Sequence, residues 1–173
     1  MKTIKKYGIL CGILLINLFL SNCKKNTNIE LEISTSGCYK NCSILDAKLI
    51  NNILYFNFIK NNKYVGLYKY KLNKNESNKI ISLVNSIQSD SLKKEYTSHI
   101  SDIQTYNTKL KYKDKIKNVF YFNNSAPKEY QNLINFVLNL KKKKLSKTDT
   151  VIKFQTRNKV KIINLPPPPN PNK

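Results

Sequence analysis

The chain predicts an α+β domain, and three features carry that expectation. Several short runs alternate apolar and polar residues, paired asparagines separate them, and two later stretches lengthen the apolar period to that of a helix. The expected order is strand-strand-strand-strand-helix-strand-strand-helix over residues 29–145, giving an antiparallel sheet of about six strands with two helices packed on one face.

Ile29, Leu31 and Ile33 alternate with Glu30, Glu32 and Ser34, the period of a half-buried strand. Leu45, Ala47 and Leu49 do the same against Asp46 and Lys48. Asn51-Asn52 marks a tight turn, because asparagine tolerates positive φ. The next strand sets Leu54, Phe56 and Phe58 on one face, and Asn61-Asn62 turns it into Tyr64 to Leu72. There Tyr64, Gly66, Tyr68, Tyr70 and Leu72 share a side, which completes an antiparallel meander.

At Asn73 the pattern changes. Asn73 with Glu76 three residues on has the spacing of a capping box, and Ile80, Leu83, Val84 and Ile87 recur at helical intervals. A polar connector carries Asp90, Lys93, Lys94, Glu95 and His99 and ends near Asp102. Tyr106, Thr108, Leu110 and Tyr112 then alternate with lysine and asparagine, and Lys113-Asp114 turns the chain into Ile116 to Phe122. Ser125 is placed to cap a second helix, with Pro127 in its first turn. Tyr130, Leu133, Ile134, Val137 and Leu138 form its apolar stripe, and Lys141 to Lys144 close it as a solvated terminus whose cations suit the helix dipole. Val151 to Ile163 reads either as an added edge strand or as loose chain, and Pro166 to Pro169 with Pro171 reads as extended and polyproline-like.

The amino terminus carries an address. Lys2, Lys5 and Lys6 precede an apolar run from Tyr7 to Leu20 broken by Asn17, and Leu20-Ser21-Asn22-Cys23 leads to Lys24-Lys25. This is the layout of an export signal. With a cysteine at the boundary it resembles a bacterial lipoprotein signal, although Asn22 stands where Gly or Ala is usual. The resemblance implies that residues 1–22 are removed, that Cys23 carries diacylglycerol and palmitate-type acyl chains, and that residues 23–28 form a tether. A retained transmembrane helix is the competing reading, but the apolar stretch falls short of the ~20 residues a bilayer core requires. Acidic residues that direct some lipoproteins outward are replaced after Cys23 by two lysines. The expected location is the cell envelope, lipid-anchored to an outer membrane and facing the periplasm.

Net charge is +21, or +18 once the three signal lysines are subtracted. Arg157 is the one arginine, all other basic side chains being lysine, and bidentate phosphate and base recognition favours arginine. No nucleic-acid partner is therefore expected. A membrane contact through the N-terminal lipid and an envelope protein or glycan partner are. With Cys11 in the signal and Cys23 at its boundary, Cys38 and Cys42 remain. In an oxidising compartment they read first as a structural disulfide, with a redox pair or half a metal site as alternatives. Thioredoxin-type spacing is C-x-x-C, and a zinc site needs about four ligands, whereas His99 is the one histidine.

Around Ile33-Ser34-Thr35-Ser36-Gly37-Cys38-Tyr39-Lys40-Asn41-Cys42, with its G-C-x3-C turn, the chain resembles an uncharacterised family of bacterial lipoprotein domains, DUF6438, frequent in Bacteroidota. Gly66-Leu67-Tyr68, Leu92 to Tyr96, Asp102 and Ser125-Ala126-Pro127 follow in the matching order, so the likeness covers about residues 29–140. It departs at Asn41 and Ser43, where Gly and Pro are usual. The family carries no assigned activity, and the likeness implies domain boundaries and location without a mechanism.

No catalytic constellation emerges. His99 with Cys38 or Cys42 is the one Cys-His combination in the mature chain, and Asp90, Glu95 and Asp102 all sit in one connector. Four glycines leave no phosphate-binding loop, and no cofactor or metal is implied. The expectation is a non-catalytic binding or structural module that uses an exposed sheet face or a loop containing Asp90, Glu95, His99 and Asp102. The alternative is a lipoprotein inhibitor or immunity factor against a secreted enzyme or toxin.

Overall fold

The structure is a computed structural model and describes residues 28–38, 41–97 and 103–157. The signal, Cys23, most of the tether, His99, Asp102 and the proline-rich end lie outside the described residues.

Among the described residues, eight strands form one open sheet: β1 (Glu30–Thr35), β2 (Ile44–Ile50), β3 (Ile53–Lys60), β4 (Gly66–Lys71), β5 (Glu95–Tyr96), β6 (Thr105–Tyr112), β7 (Lys115–Phe122) and β8 (Ser146–Lys147). Their spatial order is β5-β7-β6-β1-β2-β3-β4-β8, which puts β1 in the interior between β2 and β6. The six expected strands are all present. The two additions, β5 and β8, have two residues each, too short for any alternation to show. β5 is held beside β7 in parallel, and Phe120 N donates to Lys94 O at 2.9 Å.

Two helices, α1 (Lys74–Ser86) and α2 (Lys128–Asn139), cover one face. Hairpin chemistry acts as the sequence predicts: Asn51 and Asn52 adopt φ of 49° and 61°, and Asn61 56°. α1 begins with the expected capping box. Asn73 Oδ1 accepts from Glu76 N at 2.9 Å, and Glu76 Oε2 accepts from Asn73 N at 3.0 Å. The start of α2 differs from expectation. Pro127 occupies the cap position without a side-chain bond, while Ser125 Oγ accepts from Phe122 N and donates to Tyr96 O at 2.9 Å. Ser125 therefore ties β5 to the β7 turn instead of capping the helix.

The core lies between this face and the helices. Leu31, Ile33, Ala47, Leu54, Phe56 and Val119 meet Ile80, Val84, Leu133, Ile134 and Val137, all essentially inaccessible. Tyr121 stacks on Tyr106 with centroids 4.8 Å apart and meets Tyr130 edge-on at 6.1 Å. Thr108 Oγ1 gives its hydrogen to Val119 O, so the Tyr130 hydroxyl, 2.6 Å away, donates to Thr108. The lysine run after α2 is only partly solvated. Lys141 is half-buried with Nζ 3.3 Å from Ser43 Oγ, and burial draws its ammonium below the ordinary lysine range.

The opposite face departs furthest from expectation. Residues 146–157 lie beyond the expected domain of 29–145, yet β8 pairs with β4 and the chain then lies across the sheet to Arg157. Ile152, Phe154 and Thr156 are more buried than Val151, Lys153 and Gln155, the alternation of an extended segment laid on a surface.

Candidate functional site

The strands that supply the core also supply the polar face, because successive side chains point to opposite sides of a sheet. With Leu31 and Ile33 in the core, Glu32 and Ser34 must face away, and Asp46 and Lys48 follow by register from Ala47 and Leu49. Asn57 opposes Asp46 across β2 and β3, and Asn107 opposes Ser34 across β1 and β6. Two carboxylates thus meet hydroxyl and amide groups in the middle of an eight-stranded sheet. Glu32 is 4% exposed and Asp46 1%.

Isolated buried carboxylates are costly unless charged or polar partners surround them. Residues 153–157 and neighbouring side chains of the sheet together provide those partners. Thr156 N donates to Glu32 Oε1 at 2.6 Å, and Lys48 Nζ pairs with Glu32 Oε2 at 2.8 Å. Ser34 Oγ donates to Asp46 Oδ1 at 2.6 Å, and Asn57 Nδ2 donates to Asp46 Oδ2 at 3.1 Å. Thr156 Oγ1 stands 2.7 Å from Ser34 Oγ and 3.0 Å from Glu32 Oε1, and with the Ser34 hydrogen given to Asp46 the single hydrogen of Thr156 serves one of these two acceptors.

Arg157 completes the arrangement. Its Nε and one terminal nitrogen approach Asp46 Oδ1 at 2.8 and 2.7 Å. The terminal nitrogens also donate to Thr35 O and Leu45 O, each at 3.0 Å. Those carbonyls lie where the β1–β2 ladder gives way to its connecting loop, so the guanidinium fork takes the place of the next ladder rung. Just beyond, the Cys38 and Cys42 sulfurs lie at disulfide-bonding distance with Cα atoms 5.3 Å apart. Thr35 Oγ1 and Gln104 Nε2 both donate to Ser43 O, fastening the loop to the sheet. Every buried side-chain nitrogen and oxygen among the described residues has a hydrogen-bond partner.

Of the residues expected to form a binding loop, Asp90 and Glu95 are described, and His99 and Asp102 lie outside the described residues. Asp90 is exposed and bonded to Lys115 at 2.8 Å, and that ammonium holds its carboxyl below the usual carboxylate range. Glu95 lies on β5 and lines an open groove with Lys94, Asn107, Ile116, Asn118 and Phe120. Asn107 joins the groove to the polar centre, since its Nδ2 donates to Thr156 O at 2.8 Å. Sequence reasoning left Glu32, Ser34, Asp46, Asn57, Asn107, Thr156 and Arg157 unassigned to a site. The available signal was a solitary arginine in a lysine-rich chain, together with carboxylates alternating inside two of the predicted strands.

Comparison with curated proteins found no match. Residues 29–141 match the family model described as "Domain of unknown function (DUF6438)", which spans β1 to the end of α2 and stops before β8. All the residues that hold Thr156 and Arg157 fall within that match, and the segment they hold falls outside it. The chain belongs to the DUF6438 domain family.

Proposed function

We propose that this protein is a lipid-anchored binding module of the bacterial cell envelope, with the polar face of its sheet as the recognition surface. One observation carries the reading. The centre of that face holds an extended segment from outside the family domain, grasped at both main-chain and side-chain atoms. The lysine-apolar-Cys23 layout supports the anchor, and the short span from Cys23 to β1 would hold the domain close to a bilayer. A module of this kind needs no reacting group, and the two buried carboxylates of the face, Glu32 and Asp46, are committed to partners that fix them as acceptors.

Fractionation together with mass spectrometry of the native polypeptide tests the anchor. The mature chain should begin at an acylated Cys23 and remain with outer membranes, and Cys23→Ala should enter the soluble fraction. An unacylated chain that still bears Met1 would overturn the address.

A further inference from the structure

The way residues 153–157 are held has the form of ligand recognition. Three main-chain groups of the segment are read by side chains of the sheet: Lys48 Nζ donates to Lys153 O at 2.8 Å, Glu32 accepts from Thr156 N, and Asn107 donates to Thr156 O. Contacts of that kind accept any extended peptide and carry little sequence information. Specificity comes from one pocket, where Asp46, Thr35 O and Leu45 O together match the donor fork of a guanidinium. Beyond Asn107 the face continues into the open groove of Ile116, Asn118 and Phe120, which the segment leaves uncovered.

We infer that the polar face is a peptide site for an extended, arginine-bearing segment of another envelope protein, and that residues 153–157 occupy it in cis as a displaceable strap. The inference rests on the binding-module reading and names its partner chemistry. The arginine of the partner enters the Asp46 pocket, its backbone follows the path from Lys48 to Asn107, and its continuation lies in the adjoining groove. No cross-sheet bond holds residues 149–152 among the described residues, so release from 153 onward leaves β8 paired with β4. A tethered strap competes at an effective concentration of about millimolar, which sets a threshold that a partner must exceed.

The probe is a labelled synthetic peptide with the sequence of residues 150–158, added to the purified full-length chain. Thr156→Ala with Arg157→Ala in the full chain weakens the strap, and this variant should bind the peptide at least tenfold tighter than wild type does. Replacing the peptide's arginine by alanine, or adding Asp46→Asn to the weakened chain, should each lose at least tenfold. A folded, weakened chain that binds no better than wild type, or that ignores the peptide's arginine, would overturn the site.

Hydrogen exchange on the wild type gives an independent measurement if the weakened chain fails to fold. Millimolar peptide should speed exchange of the Thr156 amide while β1 amides stay protected, and an unchanged Thr156 rate would overturn displacement. A strap-swapped dimer of the wild type in sedimentation would assign the face to a second copy and overturn the envelope partner. All of these measurements use protein without lipid, so they fail or succeed separately from the acylation of Cys23.

Discussion

Arg157→Ala removes contacts of 2.7 and 2.8 Å to Asp46 and two of 3.0 Å to main-chain carbonyls. Breaking a buried charge pair by removing one partner costs about 3–5 kcal/mol. Two features of the site reduce that figure. The Arg157 side chain is 27% exposed, and Asp46 keeps its bonds from Ser34 and Asn57. The expected loss is therefore about 2–3 kcal/mol. Asp46→Ala should cost more, about 3–5 kcal/mol, because it also strands the donors of Ser34 and Asn57 beneath the strap. If both losses report one interaction, the double variant should be less destabilised than the sum, with a coupling of about 2 kcal/mol. Urea unfolding of the four chains reads this directly. With a slope of about 1–3 kcal/mol per molar, Arg157→Ala should lower the midpoint by about 0.7–3 M. Strict additivity, or an Arg157→Ala midpoint equal to wild type, would refute a strap bonded to the sheet in solution.

Further outcomes follow from other parts of the fold. Burial pushes the hydroxyls of Tyr121 and Tyr130 well above the ordinary tyrosine range. Above about pH 10 the unfolded chain releases those protons while the folded chain keeps them, so stability falls with rising pH by about 1.4 kcal/mol per unit for each. Lys141, drawn down by burial, acts in the opposite sense, since the folded chain sheds that proton first and its cost is relieved towards the ordinary lysine value. Urea midpoints should therefore decline between pH 9 and pH 11, less steeply in Tyr121→Phe, and a flat profile in the wild type would contradict the burial of these rings. Asn73→Ala opens the capping box and should cost about 1 kcal/mol, with Asn73→Asp recovering most of it. Thiol labelling of unreduced protein should leave Cys38 and Cys42 unmodified, and reduction should loosen the Arg157 pocket first, seen as faster exchange at residues 153–157.

Much of the fold was legible because its determinants are local. Period-two alternation placed the six long strands, paired asparagines placed the hairpins, and Asn73 with Glu76 placed the start of α1. What escaped was decided by contacts between distant parts of the chain. β5 and β8 are strands only because β7 and β4 lie beside them. Ser125 has the chemistry of a cap, and what decides its role is the nearness of Tyr96 O, 29 residues away in sequence. The same alternation that put Leu31 and Ile33 in the core assigned Glu32, Ser34 and Asp46 to the other face, which was expected to be exposed. Period alone cannot say that a later segment will cover it. Ile152, Phe154 and Thr156 do alternate, but a strand laid across a sheet and a strand added to its edge share one pattern. Asp90 and Glu95 share a connector, yet the chain delivers one to Lys115 and the other to the groove beside Asn107.

Site-specific photo-crosslinking in whole cells tests recognition through the polar face most directly. A photoreactive residue at Asn118, exposed in the groove on that face, should capture a discrete envelope protein, and one at Lys79, exposed on α1, should not. Capture from Lys79 and none from Asn118 would place recognition on the helical face and contradict the role given to Glu32, Asp46 and their strap.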